Sequence, residues 1–197
     1  MSPNHIQKAA THTAMPWANG GGITYEVAAS PLGSDLGSFD WRISMAEVHE
    51  SGPFSTFHGI DRVLTVLGPG DLQLFINGEE VLGHLHVPVA FSGDDEVRAE
   101  LVDGPITDLN VMTRRGRCEA DVLIHTVSGT AALEPHSLST SMIVVLSGKL
   151  TTAEGERIDA RDALFLNSPT SLSGEGVIAR INIRTLPSVR PEQVLHA

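Results

Sequence analysis

The sequence is poor in cysteine, basic residues and long apolar runs, and each shortage excludes a class of protein. Its 197 residues include one cysteine, Cys118, so a scaffold held by internal disulfides is excluded. The 13 basic residues are outnumbered by 24 acidic ones, and the formal net charge of -11 disfavours binding to a nucleic-acid backbone. No window approaches the ~18 consecutive apolar residues that a membrane span requires.

The first residues also lack the pattern of a signal peptide, in which a basic region precedes an apolar core of about 7–15 residues. We therefore expect a cytoplasmic protein that binds neither nucleic acid nor membrane. Hydrophobic residues make up 41% of the chain. That share is enough to build one large domain or two small barrels of roughly 80–110 residues.

Apolar residues recur with a period of two, and turn residues interrupt them every 8–12 residues or so, which is typical of an all-β sandwich or barrel. Asn77-Gly78 is the clearest hairpin turn. Only the tail, Pro191–His196, has a helical pattern. The predicted strands are Ile23–Ala29, Phe39–His49, Arg62–Leu67, Leu72–Ile76, Val97–Val102, Asp108–Thr113, Val122–Val127, Met142–Leu146, Ala163–Leu166 and Val177–Thr185.

A weak internal repeat relates the two halves of the chain. Val63–Gly68 resembles Ile143–Gly148, and in both halves a strand, a glycine turn, a second strand and a hairpin follow one another. The repeat predicts two related β-barrels, one formed by residues 1–117 and one by residues 118–197, packed as a single unit. The alternative is that antiparallel proteins are all faintly self-similar.

The most unusual local chemistry begins at Trp17 and Asn19, which precede three consecutive glycines, Gly20 to Gly22, and then Thr24. Consecutive glycines cost backbone entropy on folding, so they indicate a specific need. A loop that passes close to another backbone would meet that need, and so would exposed amides that hold an anion. The alternative is a flexible loop.

Strand alternation in residues 39–48 separates two sets of side chains. Phe39, Trp41, Ile43 and Met45 form an apolar face, whereas Arg42, Ser44, Ala46 and Val48 form the other face. If the second face lines a barrel interior, Arg42 needs a carboxylate from the protein or from a ligand. Asp108 is a candidate to orient Arg42 or Arg62. The alternative for Arg42 is a surface position.

Two histidines, His84 and His86, resemble the first part of the metal-binding motif of cupin proteins. The match then fails, because no glutamate follows at the required spacing and no later histidine completes the site. We therefore expect no metal or other cofactor, and two exposed strand histidines instead. Cys118 has no identifiable base beside it, so we expect a linker cysteine.

Six motifs, in order over residues 14–115, resemble the HutD/Ves family. They are Pro16–Thr24, Phe39–Ser44, Gly52–Phe57, Gly59–Arg62, Phe91–Asp94 and Asp108–Met112. The resemblance implies a bicupin, that is, two RmlC-like jelly-roll barrels, encoded with histidine-utilisation genes and thought to modulate that pathway by binding a small metabolite. The second half matches mainly in its strand pattern. The family's characteristic residues correspond to Trp17, Asn19, Gly20, Thr24, Arg42, Ser44, Ser55, Phe57, Asp61, Arg62, Asp94, Asp108 and Asn110.

Our leading hypothesis is a metal-free binding protein whose first barrel holds a small carboxylate, such as urocanate or formylglutamate. Two arginines set among aromatic and hydroxyl side chains favour this reading in a chain with little positive charge. The rival is an enzyme, either an isomerase or hydrolase with Asp61 or Asp108 as general base, or a metal-dependent cupin that uses His84 and His86. A homodimer formed through a sheet edge is compatible with either.

Overall fold

The computed structural model describes residues 3–18 and 20–187, and these residues form β-strands almost throughout. A three-residue 3-10 turn, Ala9–Thr11, is the only helical element in those ranges. No helix in the described part of the chain is long and apolar enough to cross a membrane. The predicted helix Pro191–His196 lies outside the described residues. The strands are β1 (His5–Gln7), β2 (Thr13–Pro16), β3 (Gly22–Ser30), β4 (Trp41–Val48), β5 (Gly52–Pro53), β6 (Ile60–Gly68), β7 (Leu72–Ile76), β8 (Glu79–Gly83), β9 (Pro88–Ser92), β10 (Val97–Leu101), β11 (Ile106–Arg114), β12 (Cys118–Leu133), β13 (Ser139–Thr152), β14 (Arg157–Asp159), β15 (Ala163–Phe165) and β16 (Thr170–Thr185).

Every predicted strand overlaps an observed one, so the all-β prediction is confirmed. The predicted hairpin is also confirmed, since Asn77 and Gly78 join β7 to β8 with φ angles of 51° and 84°. Prediction missed the short strands β1, β2, β5, β8, β9 and β14. Several of these carry a proline or too few residues for a period of two to be visible, as in β5 and β9.

The strands form three antiparallel sheets. In the first half, a six-stranded sheet in the order β2-β3-β4-β11-β6-β9 faces a four-stranded sheet in the order β5-β10-β7-β8. In the second half, the order is β1-β15-β13-β16-β12, with β14 also paired to β13. The run β4-β11-β6-β9 therefore has the same order as β12-β16-β13-β15, which is the equivalence that the internal repeat predicts. The first strand of the chain, β1, pairs with β15 in the sheet of the second half.

The first six-stranded sheet is largely buried on both faces at its central strands, β4, β11 and β6. Its outer face packs on the sheet of the second half, where Ile43 and Leu109 belong to the same apolar cluster as Val144 and Ile181. Part of its inner face packs on the four-stranded sheet in a second cluster that includes Leu64. Because side chains alternate along a strand, the residues between the outer apolar positions must also lie inside the molecule.

The interior of the second half is filled by apolar side chains. Ile143, Val145, Leu150, Leu172 and Ile178 belong to one buried cluster there. The interior of the first half is filled only in part, and its remaining volume forms the pocket described below.

The glycine run allows close packing of the backbone at the start of β3. A Cβ atom on Gly22 would lie 2.5 Å from the carbonyl oxygen of Glu47 and 3.1 Å from the ring of Trp17. Gly20 has a φ of 76°, which glycine adopts without strain, and its amide donates to the Trp17 carbonyl. The close backbone approach proposed for this segment is therefore present at Gly22. The absence of a side chain there also leaves room for the Trp17 ring.

We predict that Gly22→Ala lowers the free energy of unfolding by about 1–3 kcal/mol, because the added methyl group overlaps the β4 backbone. Denaturant titration measures the change. The matched control is Gly52→Ala in β5, where a Cβ atom would meet no atom within 4 Å. That variant should be unchanged or more stable by up to about 1 kcal/mol. Equal effects of the two substitutions would contradict the packing argument.

Candidate ligand pocket

A pocket of about 470 Å³ opens between the two sheets of the first half. Strands β2, β3, β4, β6 and β11 contribute polar and apolar side chains to its wall, and the segment 53–57 contributes two phenylalanines. Its lining residues are Met15, Pro16, Trp17, Ala18, Thr24, Leu36, Arg42, Ser44, Ala46, Pro53, Phe54, Ser55, Phe57, Arg62, Asp108, Asn110 and Met112.

Most of the residues expected at the site converge on this pocket. Strand register explains why, since Met112 of β11 pairs with Arg42 on one side and with Arg62 on the other. Two positions along β11, Asn110 pairs with Ser44, so its side chain lies on the same inner face. The expected residues that line the pocket are Trp17, Thr24, Arg42, Ser44, Ser55, Phe57, Arg62, Asp108 and Asn110.

Arg42 is buried, with 4% of its surface exposed, and is held by two protein groups. Its Nε donates to Oε2 of Glu26 at 2.8 Å, and its Nη1 donates to Oγ of Ser44 at 3.2 Å. The carboxylate that orients Arg42 is thus Glu26 and not Asp108. The Nη2 group of Arg42 has no acceptor among the described residues.

Arg62 is buried as well, with 7% of its surface exposed. Its Nε and Nη2 both donate to Oδ1 of Asn110, at 3.2 and 2.9 Å. Asn110 in turn donates from Nδ2 to Oδ1 of Asp108 at 3.0 Å. Asp108 therefore orients Arg62 through Asn110, and the three side chains form one hydrogen-bonded chain along the inner face.

Three aromatic rings lie close to the Arg62 guanidinium. The distances from its Cζ atom to three ring centroids lie between 4.8 and 5.5 Å, which is the range of cation–π contacts. The three rings belong to Phe54, Phe57 and Phe91. Together with Asn110 they fix the position of a buried charge.

Burial shifts the ionisation of both charged ends of this chain. Burial raises the pKa of Asp108 to about 6, although the hydrogen bond from Asn110 and the charge of Arg62 oppose the shift. Burial lowers the pKa of Arg62 to about 10, with Asp108 raising it and the like charge of Arg42 lowering it further. At neutral pH both arginines are charged, and Asp108 ionises above about pH 6.

The residues just before the glycine run, including Trp17, line one wall of the pocket. Trp17 donates from Nε1 to Oγ1 of Thr24 at 2.8 Å, so the indole is fixed against β3. Gly20 lies in the turn beside Trp17 and does not line the pocket. Asn19 lies outside the described residues.

Two expected site residues, Asp61 and Asp94, lie elsewhere. Both accept hydrogen bonds from Arg115, at distances between 2.7 and 3.0 Å, in an exposed ion cluster that also includes His58. Hydrogen bonds from His58, Arg115 and Gly59 lower the pKa of Asp94 to about 2. Asp61 alternates with Arg62 along β6, which explains why it cannot share the pocket face. Of the two candidate general bases, only Asp108 lines the pocket.

The histidine pair does not lie on a strand, contrary to prediction. Strand β8 ends at Gly83, so His84 and His86 occupy the connection to β9, and His84 contacts Asp71 at 3.1 Å. Within residues 3–18 and 20–187, no group of three or more His, Cys, Asp or Glu side chains is placed to hold a metal ion. Cys118 is buried at the start of β12, and burial raises the pKa of its thiol.

Sequence reasoning missed several residues of this site. Glu26 lies two positions after Thr24 on β3, so a period of two places both on the inner face. Phe54 and Phe91 belong to the motifs already noted, but nothing in one sequence shows that they meet around Arg62. Strand pairing that is distant in sequence supplies that contact.

Comparison with known proteins agrees with the fold and with the family resemblance. The HutD family model matches residues 9–179. A protein of Pseudomonas putida described as an uncharacterised 21.2 kDa protein in the hutC 3' region is 34% identical over 185 residues, covering 91% of this chain and 95% of its own length. Protein Ves of Citrobacter koseri is 34% identical over 190 residues, covering 90% of this chain and 93% of its own.

Comparison with solved structures supports the same fold and family. HutD from Pseudomonas fluorescens SBW25, in a formate condition, has a TM-score of 0.80 and 29% identity, covering 94% of this chain and all of that chain. A cupin 2 conserved barrel domain protein from Leptotrichia buccalis has a TM-score of 0.56 at 11% identity, covering 84% of this chain and 89% of its own, which shows the cupin fold alone. The chain has a cupin-like all-β fold and belongs to the HutD family.

Proposed function

We propose that this protein binds a small carboxylate metabolite in the pocket of its first half and thereby modulates histidine utilisation. The observation that carries the proposal is the pair of buried arginines, Arg42 and Arg62, which face one pocket and each keep donor groups unused by the protein. The candidate metabolites are intermediates of histidine degradation, such as urocanate or formylglutamate.

Hydrogen bonding among the described residues leaves one terminal nitrogen of each guanidinium unused, Nη2 of Arg42 and Nη1 of Arg62. The protein occupies Nε and Nη1 of Arg42 and occupies Nε and Nη2 of Arg62. Arginine has five N–H donors, so hydrogens remain on the terminal nitrogens of both side chains. Two terminal N–H groups match the two oxygens of a carboxylate, which makes a bidentate contact the favoured mode of binding.

Electrostatics favours an anion at the same place. Arg42 and Arg62 lie in one cross-strand row on either side of Met112, and the like charge of Arg42 lowers the pKa of Arg62. Burying two like charges is costly unless opposite charge compensates them. Glu26 contacts Arg42 directly, whereas Asn110 lies between Arg62 and the nearest carboxylate, Asp108. A bound carboxylate would give Arg62 a direct ionic partner.

Size and apolar walls support a small, partly planar ligand. A volume of about 470 Å³ falls within the ~300–1,000 Å³ of typical small-molecule sites. Trp17, Phe57 and Met112 provide apolar surfaces that can cover a flat ring or a short aliphatic chain. Histidine degradation is the favoured source of the ligand because the family is named HutD and a relative is described by its place beside hutC.

We predict that Arg62→Lys weakens binding of the cognate carboxylate by about 10- to 100-fold, because lysine keeps the charge but loses the fork of parallel donors, worth about 1.5–3 kcal/mol. Arg42→Lys should have an effect of similar size. Calorimetric titration with urocanate and with formylglutamate measures the change.

The control for this experiment is Arg184→Lys, because Arg184 is an exposed arginine of β16 that pairs with Glu119 in the second half. It should bind as the unsubstituted protein does. If no intermediate of histidine degradation binds the unsubstituted protein, or if the three variants bind alike, the proposal fails. Thermal unfolding of each variant shows that the fold is intact.

Binding of a carboxylate without other titrating groups should weaken as pH rises above about 6. The bound anion repels ionised Asp108, so the complex holds the Asp108 proton more tightly than the free protein does, whose Asp108 pKa is about 6. Above about pH 6 the complex therefore binds more protons than the free protein does, and Kd rises by up to about tenfold per pH unit. Below pH 6 the affinity levels off until the ligand carboxyl protonates near pH 4 or so.

Titration of 3-(2-furyl)acrylate between pH 5.5 and 8 measures this dependence. The same titration with Asp108→Asn should give a nearly constant Kd, because the titrating group is gone while Arg42, Arg62 and Glu26 are unchanged. A flat profile for the unsubstituted protein, or an equal slope in both proteins, would show that Asp108 does not sense the ligand.

A further inference from the structure

We propose that Asp108 is a specificity-determining residue, which accepts a hydrogen bond from an N–H or O–H group of the same ligand whose carboxylate lies on Arg62. This inference rests on the proposed function and narrows it. The ligand class becomes a small carboxylate that carries a hydrogen-bond donor, and carboxylates of the same shape without a donor are discriminated against.

The first observation is an unused acceptor in a buried place. Asp108 has 1% of its surface exposed, yet it lines the pocket. Its Oδ1 accepts from Asn110, whereas Oδ2 has no donor among the described residues. Oδ2 is not among the buried side-chain atoms that lack a partner, so the pocket gives access to it. A ligand N–H or O–H group in the pocket can therefore donate to it.

The second observation is the short span between Asp108 and the arginine. Asn110 contacts Arg62 at 2.9 Å with one amide atom and Asp108 at 3.0 Å with the other. Nη2 of Arg62 and Oδ1 of Asp108 are therefore at most about 8 Å apart, and the unused Nη1 and Oδ2 atoms lie about 2–3 Å from them on the same two groups. A molecule with only a few bonds between its carboxylate and its donor can reach both groups. The amide N–H of formylglutamate and the ring N–H of urocanate both meet this requirement.

The third observation is that holding Asn110 in place does not require a carboxylate. A neutral oxygen would accept the Asn110 amide equally well and would avoid the desolvation of a buried charge. The carboxylate instead offers a second, strong acceptor to the pocket. On the same inner face, Thr24 lies two strands away in the row of Asp108 and Ala46, and its hydroxyl oxygen already accepts from Trp17. The Thr24 hydroxyl therefore offers the pocket a donor hydrogen. Asp108 is the group that offers an anionic acceptor at this end of the pocket.

The test compares matched pairs of ligands by calorimetry at pH 8. Urocanate is paired with 3-(2-furyl)acrylate, which has the same planar acid but no ring N–H. Formylglutamate is paired with glutarate, which lacks the amide N–H. At this pH an imidazole is neutral and Asp108 is ionised. In whichever of the two ligand pairs binds, we expect the acid with the N–H donor to bind at least tenfold more tightly than the acid without it.

The decisive variant is Asp108→Asn. Its amide oxygen is required by the Nδ2 group of Asn110, so it presents an NH2 donor to the ligand in place of an acceptor. We expect the donor-bearing ligand to lose at least tenfold in affinity, while the donor-free ligand keeps or gains affinity because an anionic neighbour is removed. The matched control is Asp159→Asn, at an exposed carboxylate of β14 that pairs with Arg157, and it should leave the preference unchanged.

The outcomes separate this inference from the proposed function. If both members of a pair bind the unsubstituted protein equally, or if Asp108→Asn weakens both alike, Asp108 only supports Asn110 and the inference is wrong while the carboxylate site stands. If none of the four acids binds, the proposed function fails and the inference falls with it. A preserved melting temperature of Asp108→Asn excludes misfolding as the cause of lost binding.

Discussion

The structure depends on one constraint, which is that the sheet formed by β4, β11 and β6 is buried on both faces. Its outer face carries Ile43 and Leu109 into the contact with the second half. Since the side-chain period is two, this contact forces Arg42 and Asn110 to the inner face, away from bulk water. The polar residues of the pocket are therefore buried because their apolar neighbours are, and the site has the rigidity of the sheet that carries it.

Burying these charges is tolerable because each has a specific partner. Glu26 neutralises Arg42, and three aromatic rings with Asn110 hold Arg62. These partners use two nitrogens of each guanidinium and so decide which N–H groups are left for a ligand. Asn110 has a further role, because it joins the cation of Arg62 to the carboxylate of Asp108 and makes their charge states interdependent.

Much of the fold and part of the site follow from the sequence alone. Strand alternation is sufficient to place Arg42 and Ser44 on the face opposite Ile43. It also places Asp61 and Arg62 on opposite faces of β6, although the family resemblance assigns both residues to the site. The repeat predicted which strands of the two halves are equivalent but not their register: it matches Val63, which packs toward the second half, with Ile143, which faces its own interior. A one-residue offset reverses the faces of a strand. Contacts such as Arg62 with Asn110 cross 48 positions and depend on pairing that one sequence does not reveal.

The two halves share a strand order, but different kinds of side chain occupy their interiors. In the second half, Ile143, Val145 and Ile178 fill the interior with apolar contacts, which stabilise the fold without leaving a site. In the first half, the inner positions of β4 and β11 are given to groups that are costly to bury. Those same groups are the ones that a carboxylate with a donor would satisfy. Binding of the proposed ligand and folding of the first half would therefore draw on one set of interactions, so that occupancy would stabilise the protein through the arginines and Asp108 themselves.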